Sequence, residues 1–142
     1  MEYYFIKQVK RIMSHLTHMT THFQNLAYLE KALTKLNISY SQQSLSSKSE
    51  HQNLRISQSN GYPIDFCWNG NEYVLVADLS FWNQPYPVQS FIDKVAQKYA
   101  SENVIGESQK IGFQIINSQQ NLDGSQTLVL ERWNANLLFE SS

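Results

Sequence analysis

The sequence predicts an α+β fold, in which two main helices pack on one face of an antiparallel sheet. Two alternating apolar segments surround the turn dipeptides Asn69-Gly70 and Asp123-Gly124, which favour the positive φ angles of a tight hairpin turn. Two other segments carry apolar residues at helical spacing, and no βαβ unit repeats. The resulting order β-α-β-β-β-β-α-β-β indicates a layered α+β arrangement, and a ferredoxin-like fold is one form that it allows.

The first predicted strand covers residues 14–23, which alternate loosely and are rich in threonine. Asn25 is then a suitable N-cap for a helix whose leucines at positions 26, 29, 33 and 36 recur at helical spacing. Asn37 is able to end this helix in the left-handed conformation. A second strand is predicted to start at residues 38–40.

The segment 41–53 is predicted to be a mobile loop, because it is polar, rich in serine and too poor in large apolar groups to offset its ordering entropy. A short strand at residues 54–57 leads into the aromatic hairpin 60–82. A two-residue turn at Asn69-Gly70 would place Phe66 opposite Tyr73. The predicted core face of this hairpin consists of alternate residues: Ile64, Phe66, Trp68, Tyr73, Leu75, Ala77 and Leu79.

Two prolines, Pro85 and Pro87, interrupt the sheet after Trp82, and a second helix starts at Val88. This helix either continues as far as Gly112 or breaks into two at Gly106, since glycine weakens a helix interior. A second hairpin is predicted between Phe113 and Trp133. Its turn at Asp123-Gly124 would place Gln119 opposite Leu128, with Phe113, Ile115, Leu128 and Leu130 sharing one face.

The length of 142 residues indicates one domain, which we place at residues 13–133. Residues 1–12 are interpreted as an extension upstream of a start at Met13, although they also fit a short basic amphipathic helix. Residues 134–142 form a tail.

The net charge of −1 and the scattered cations argue against a nucleic-acid partner. The single cysteine fits a reducing compartment, and no segment reaches the roughly 20 apolar residues of a transmembrane span, so a soluble protein is predicted.

Several sequence segments carry a resemblance to a known family. They include M-S-H-L-T-H-M at Met13 to Met19, L-E-K-A-L at Leu29 to Leu33, and N-G-Y-P-I-D-F-C-W-N-G-N-E-Y-V-L-V-A-D at Asn60 to Asp78. F-I-D-K-V-A-Q-K-Y-A at Phe91 to Ala100 and D-G-S-Q-T-L-V-L-E-R-W at Asp123 to Trp133 complete the set. Together they resemble the hypothetical chloroplast reading frame thirty-five family of algal plastids and cyanobacteria. The resemblance covers about residues 13–133, with segment 41–53 as the departure. It implies a location in the plastid stroma, and it supplies no activity and no catalytic residue.

Three histidines, His15, His18 and His22, form the only candidate metal cluster in the sequence. On a helix these spacings would place all three on one face. On the predicted strand, His15 points away from His18 and His22, and no supporting cysteine or carboxylate spacing accompanies them. We therefore interpret them as solvated or locally hydrogen-bonded histidines, and no metal or other cofactor is predicted.

The aromatic hairpin contributes two further candidates. Asp65, Glu72 and Asp78 share its non-core face, where they would form either an acidic site for a cation or the ordinary polar face of a sheet, and the second interpretation is favoured. Cys67 lies on the same face beside Asp65. A neighbouring carboxylate makes a thiol less nucleophilic, so Cys67 is interpreted as a packing residue.

The turn after this hairpin holds Phe81, Trp82 and Tyr86, whose directions the strand alternation does not determine. Exposed aromatic residues in such a turn would form an interface. Two functional hypotheses follow. The favoured one is a small, non-catalytic interaction or assembly module of the plastid that binds an unknown protein partner through this turn. The alternative is an enzyme or ligand-binding protein with a site between sheet and loop, involving His15, Asp65 or Asp78.

Overall fold

The fold comes from a computed structural model that describes residues 16–43 and 51–132. The extension 1–12, the tail 134–142, His15, Trp133 and the part 44–50 of the loop predicted at residues 41–53 lie outside the described residues. The elements follow the predicted order: β1 Leu16–Phe23, α1 Leu26–Lys35, β2 Ser41–Gln43, β3 Asn53–Ile56, β4 Ile64–Trp68, β5 Tyr73–Asp78, a 3₁₀ turn Leu79–Phe81, α2 Val88–Lys110, β6 Phe113–Gln120 and β7 Gln126–Arg132. The α+β class is confirmed.

The first five strands form one antiparallel sheet in the order β1-β5-β4-β3-β2, and β6 and β7 form a separate two-stranded sheet. Helices α1 and α2 pack against each other and cover one face of the five-stranded sheet. Alternate residues of β4 and β5 are buried there, as the two-residue period of a strand requires. The core consists of Phe23, Leu29, Ala32, Leu33, Leu54, Ile56, Ile64, Phe66, Tyr73, Leu75, Ala77, Phe91, Ile92 and Val95.

Helix α1 begins and ends as its sequence predicts. The side chain of Asn25 accepts a hydrogen bond from the Tyr28 N–H at 3.1 Å, which satisfies one of the unpaired amides of the first turn. Asn37 adopts the left-handed conformation with φ of 58°, and the N–H of Ile38 donates to the Leu33 carbonyl at 2.9 Å. The chain therefore leaves the helix at a defined angle.

The second strand lies three residues later than predicted. Residues 38–40 are not a strand, whereas Ser41–Gln43, which the sequence assigns to a loop, pairs with β3 through Ser41↔Arg55 and Gln43↔Asn53. An edge strand is held by backbone hydrogen bonds and needs few apolar side chains. Gln42 also donates to the Glu30 carboxylate at 3.2 Å. These contacts supply the order that composition alone does not predict.

The register of the first hairpin differs from the prediction by two residues. Phe66 lies opposite Leu75, not Tyr73, because the turn is centred on Gly70-Asn71, one position later than predicted. The Asn69 N–H donates to the Glu72 carbonyl at 3.0 Å, and the Asn69 side chain accepts hydrogen bonds from the N–H groups of Asn71 and Glu72 at 2.9 and 2.8 Å. An even shift leaves every side chain on its predicted face. The core face was therefore predicted correctly for the residues of β4 and β5, and the pairing was wrong. Leu79 is an exception, because the strand ends at Asp78 and Leu79 lies 39% exposed in the 3₁₀ turn.

The second hairpin also differs in register. Gln119 lies opposite Thr127, not Leu128, and an irregularity between Ile115 and Asn117 then places Ile115 opposite Leu130, not opposite Arg132 as the predicted turn requires. A bulge of this kind inserts one unpaired residue into a strand. Its consequence is that the four apolar residues predicted to share a face are all half-buried: Phe113, Ile115, Leu128 and Leu130.

Helix α2 runs without a break from Val88 to Lys110, which settles the alternative left open at Gly106. Glycine stands at this position because the ring of Tyr28 packs directly against the helix backbone, and a Cβ atom there would overlap the ring. The Tyr28 hydroxyl donates to Glu107 Oε1 at 3.0 Å, so the ring is fixed in place. The described helices include none that is both long and apolar enough to cross a membrane.

Replacing Gly106 with alanine is expected to lower the free energy of unfolding by about 1–2 kcal/mol, because overpacking against a fixed ring exceeds the gain in helix propensity. Urea unfolding of both proteins measures this difference. In a Tyr28→Ala background, the same Gly106→Ala substitution is expected to stabilise the protein, by up to about 1 kcal/mol. Destabilisation of equal size in both backgrounds would contradict the assigned role of Tyr28.

Candidate functional site

His18 and His22, the two members of the predicted histidine cluster that the structure describes, have different surroundings. His18 is exposed on β1, opposite Val76. His22 lies at an irregularity of the same strand with φ of 62°, and its Nδ1 is 3.2 Å from Glu72 Oε2. Within residues 16–43 and 51–132, no group of three or more histidine, cysteine or acidic side chains is arranged to hold a metal ion.

The three carboxylates predicted to form a polar patch have three different partners. Asp65 forms a bidentate pair with Arg55, at 2.8 Å from Nε and 2.9 Å from Nη2. Glu72 is buried at the turn and pairs with His22. Asp78 accepts a hydrogen bond from the Ser80 N–H at 3.0 Å and so caps the 3₁₀ turn. Each carboxylate thus has its own partner, and the described residues do not bring the three carboxylates together into one metal-binding group.

Cys67 is half-buried on the face of the sheet that the helices leave uncovered. Burial raises the pKa of its thiol, and the neighbouring Asp65 carboxylate raises this pKa further, whereas Arg55 lowers it. A raised pKa reduces the thiolate fraction at neutral pH, and the thiolate is the nucleophile. These surroundings suit a packing residue and not a reactive cysteine.

The aromatic turn divides into an inward and an outward part. Trp82 and Tyr86 are half-buried and lie on the ring of Phe91, with ring centroids 5.3 and 6.3 Å away. The Trp82 indole N–H donates to the Tyr86 carbonyl at 2.7 Å, which satisfies its polar atom. Phe81 points outward and is 41% exposed. Of the three predicted interface residues, the structure leaves Phe81 accessible and packs the other two largely against the core.

Phe81 stacks face to face on Tyr62, with 3.8 Å between ring centroids and 2° between ring planes. Tyr62 is 40% exposed, and Leu79, in the same 3₁₀ turn as Phe81, is 39% exposed. We call these three residues the Tyr62–Phe81 surface. Sequence reasoning did not select Tyr62. Its position between Gly61 and Pro63, outside any regular strand, was the available signal.

The side chain of Gln58 forms hydrogen bonds with both loops that carry this surface. Its side chain is buried, and its Nε2 donates to the carbonyls of Tyr62 and Phe81. Its Oε1 accepts from the Asn83 N–H at 2.8 Å and from Gln84 Nε2 at 3.1 Å. One side chain therefore joins the loop before β4 to the loop after β5.

Asn60 adds a second connection between the same loops. Its Nδ2 donates to the Phe81 carbonyl at 2.8 Å, and its Oδ1 accepts from the Tyr62 N–H at 3.1 Å. Asn83 donates to the hydroxyl of Ser59 at 2.8 Å. We call the hydrogen bonds made by Gln58, Asn60 and Asn83 between these two loops the frame. The frame fixes the positions of the Tyr62 and Phe81 rings before any partner binds.

Residues 29–129 match a protein-family model described as protein of unknown function (DUF1257), and this range covers well over half of the chain. The chain belongs to the DUF1257 family. It is similar to proteins named uncharacterized protein ycf35. That of Trieres chinensis is 56% identical over 81% of this chain and 94% of its own length. Those of Pyropia yezoensis and Cyanophora paradoxa are 39% and 36% identical, over 86% and 85% of this chain and 99% and 98% of their own lengths. No solved structure matches the chain significantly.

These relatives confirm the resemblance found in the sequence. The range matched by the DUF1257 model includes both loops that build the Tyr62–Phe81 surface, together with Gln58 and Phe91. The candidate site therefore belongs to the DUF1257 part of the chain.

Proposed function

We propose that this DUF1257 protein is a non-catalytic interaction module of the plastid stroma, and that it binds a partner protein through the Tyr62–Phe81 surface. The observation that carries the proposal is the exposed, stacked ring pair fixed by the buried Gln58 side chain. Aromatic side chains are enriched among the residues that dominate binding energy. A surface that is already rigid loses little conformational entropy on binding, which favours affinity.

The plastid setting is supported by the resemblance to the chloroplast reading frame thirty-five family and by the relatives that carry the ycf35 name. The enzyme alternative has less support. Asp65 and Asp78 are engaged with Arg55 and with the backbone of the 3₁₀ turn. A shallow cleft at the end of α1 is lined by Thr34, Asn37, Ile38, Ser39 and Tyr40, which include no carboxylate, histidine or thiol for acid–base chemistry.

The test is an affinity pull-down from plastid extract that compares the wild type with a Tyr62→Ala, Phe81→Ala variant. A partner held by the wild type is expected to be lost from the variant, because truncating central aromatic contacts costs about 2 kcal/mol or more of binding free energy. Circular dichroism checks that the variant is folded. A second variant, Trp82→Ala with Tyr86→Ala, reports on the inward part of the turn.

A matched control is Ile116→Ala with Leu122→Ala, which removes two exposed apolar side chains from the β6–β7 hairpin. It is expected to retain the partner, which would show that loss of exposed apolar area is not enough to abolish binding. Recovery of the same partner by the Tyr62→Ala, Phe81→Ala variant would refute the proposal.

A further inference from the structure

The two loops that carry the Tyr62–Phe81 surface contain no charged side chain. Residues 57–63, and residues 79–92, which run from the 3₁₀ turn into the first residues of α2, include no lysine, arginine, aspartate, glutamate or histidine, although the whole chain has 11 basic and 12 acidic residues. Three charged residues border the second segment: Asp78, which is buried and caps the 3₁₀ turn, Asp93, which accepts a hydrogen bond from Gln89, and Lys94, whose Nζ lies 5.2 Å from the centre of the Tyr86 ring. The three residues of the Tyr62–Phe81 surface carry no charge themselves, so they offer no ion pair to a charged partner.

The polar groups of these loops are mostly engaged with each other. Both the amide nitrogen and the carbonyl oxygen of the Gln58 and Asn60 side chains have partners within the two loops. The side-chain amide nitrogens of Asn83 and Gln84 donate to Ser59 and Gln58. These donors therefore connect the two loops to each other. The side chains of Ser59, Asn60 and Asn83 are exposed as well, and the apolar surface beside them comes from Tyr62, Leu79 and Phe81.

The chemistry of this surface favours some classes of ligand over others. A nucleic acid requires cations for its phosphates, and residues 57–63 and 79–92 supply none. A carbohydrate is recognised by many hydrogen bonds from side-chain amides and carboxylates. These segments contain no carboxylate, and the amide nitrogens of Asn60, Asn83 and Gln84 each already donate one hydrogen bond within them. An apolar side chain needs only a desolvated ring face, which the stacked pair provides.

From this we infer that the partner contacts the Tyr62–Phe81 surface with an uncharged segment of aliphatic or proline side chains, by apolar packing that is independent of ionic strength. The inference rests on the proposed function, because it takes this surface to be the interface. Burial of apolar area against a rigid ring pair supplies the affinity. Salt weakens the attraction between exposed charges, and because this contact includes no charged pair, its affinity is expected not to change with salt concentration.

The test uses the full chain and three small probes of different chemistry: cyclohexanol, maltose and a short single-stranded oligothymidine. Backbone amide signals are followed by two-dimensional NMR as each probe is added. Cyclohexanol is expected to shift the signals of Tyr62, Leu79 and Phe81 in a saturable way, with a millimolar Kd typical of a very small ligand. This Kd is expected to stay within about two-fold between about 0.05 and 0.5 M NaCl.

Two variants make the assignment specific. Phe81→Ala is expected to weaken cyclohexanol binding at least about three-fold, because it removes one of the two stacked rings. Ile116→Ala, which shortens an exposed apolar residue outside the surface, is expected to leave it unchanged. The inference is overturned if maltose or the oligothymidine shifts these signals more strongly than cyclohexanol does. It is also overturned if cyclohexanol fails to bind there, or if the same signals shift with protein concentration alone, which would identify a second copy as the occupant.

Failure of the inference is distinguishable from failure of the proposed function. A partner lost from the Tyr62→Ala, Phe81→Ala bait, combined with a surface that prefers maltose or the oligothymidine, would keep the interface and reject its apolar chemistry. A saturable cyclohexanol site combined with a partner that both baits retain would keep the apolar chemistry and reject this surface as the interface.

Discussion

A Phe91→Ala protein is expected to lose about 3–5 kcal/mol of its free energy of unfolding, measured by urea denaturation. Phe91 is 1% exposed at the start of α2, and its ring contacts three other aromatic rings. Phe66 of the central sheet lies 6.5 Å away, and Trp82 and Tyr86 of the turn lie 5.3 and 6.3 Å away. Truncation would therefore open a cavity at the junction of sheet, helix and aromatic turn.

The control for this prediction is Phe81→Ala, which removes the same atoms from an exposed position. Because Phe81 is half in solvent and packs mainly on Tyr62, its truncation is expected to cost about 1 kcal/mol or less. Each ring thus has one dominant role, with Phe91 stabilising the fold and Phe81 available to a partner. Equal destabilisation by the two substitutions would make Phe81 a structural residue and would remove the basis of the proposed interface.

The faces of the elements could be predicted from the sequence, and their registers could not. Side chains alternate along a strand whatever the neighbour is, so the burial of Phe66 and Leu75 followed from position alone. Register depends on which residues form the turn. In this chain the Asn69 side chain accepts hydrogen bonds from the Asn71 and Glu72 N–H groups, which favours a turn at Gly70-Asn71, and a dipeptide preference for Asn69-Gly70 does not contain this information.

The location of the candidate site could be predicted from the sequence, and the residues that form its exposed surface could not. Two prolines after Trp82 show that strand alternation stops there, and this pointed to the turn as a place for exposed aromatic residues. Which ring faces outward depends on a tertiary contact, since Phe91 holds Trp82 and Tyr86 inward. The pairing of Tyr62 with Phe81 joins residues from different loops, so no local pattern reveals it.

The burial of Gln58 is a second feature of the site that the sequence does not predict. A glutamine in a short loop before a strand is expected to be solvated, because glutamine is mostly found exposed. In the folded chain it is 9% exposed and contacts four groups from two loops. The hydrogen bonds that support the proposed interface therefore depend on a buried residue, and this dependence can be tested by replacing Gln58.

Replacing Gln58 with leucine is expected to lower the free energy of unfolding by about 2–3 kcal/mol, because the carbonyls of Tyr62 and Phe81 and the N–H of Asn83 lose a buried partner. Amide hydrogen exchange at Asn83 is expected to accelerate in parallel.

Partner capture is expected to fall although both rings of the Tyr62–Phe81 surface remain, because a surface that must be ordered on binding loses affinity. Ser59→Ala is the matched control, since it removes only the Asn83 contact and is expected to cost about 1 kcal/mol or less. Full partner capture by a Gln58→Leu protein with fast exchange at Asn83 would show that the rings bind without the frame. The rigidity of the two loops would then serve the stability of the fold and not recognition.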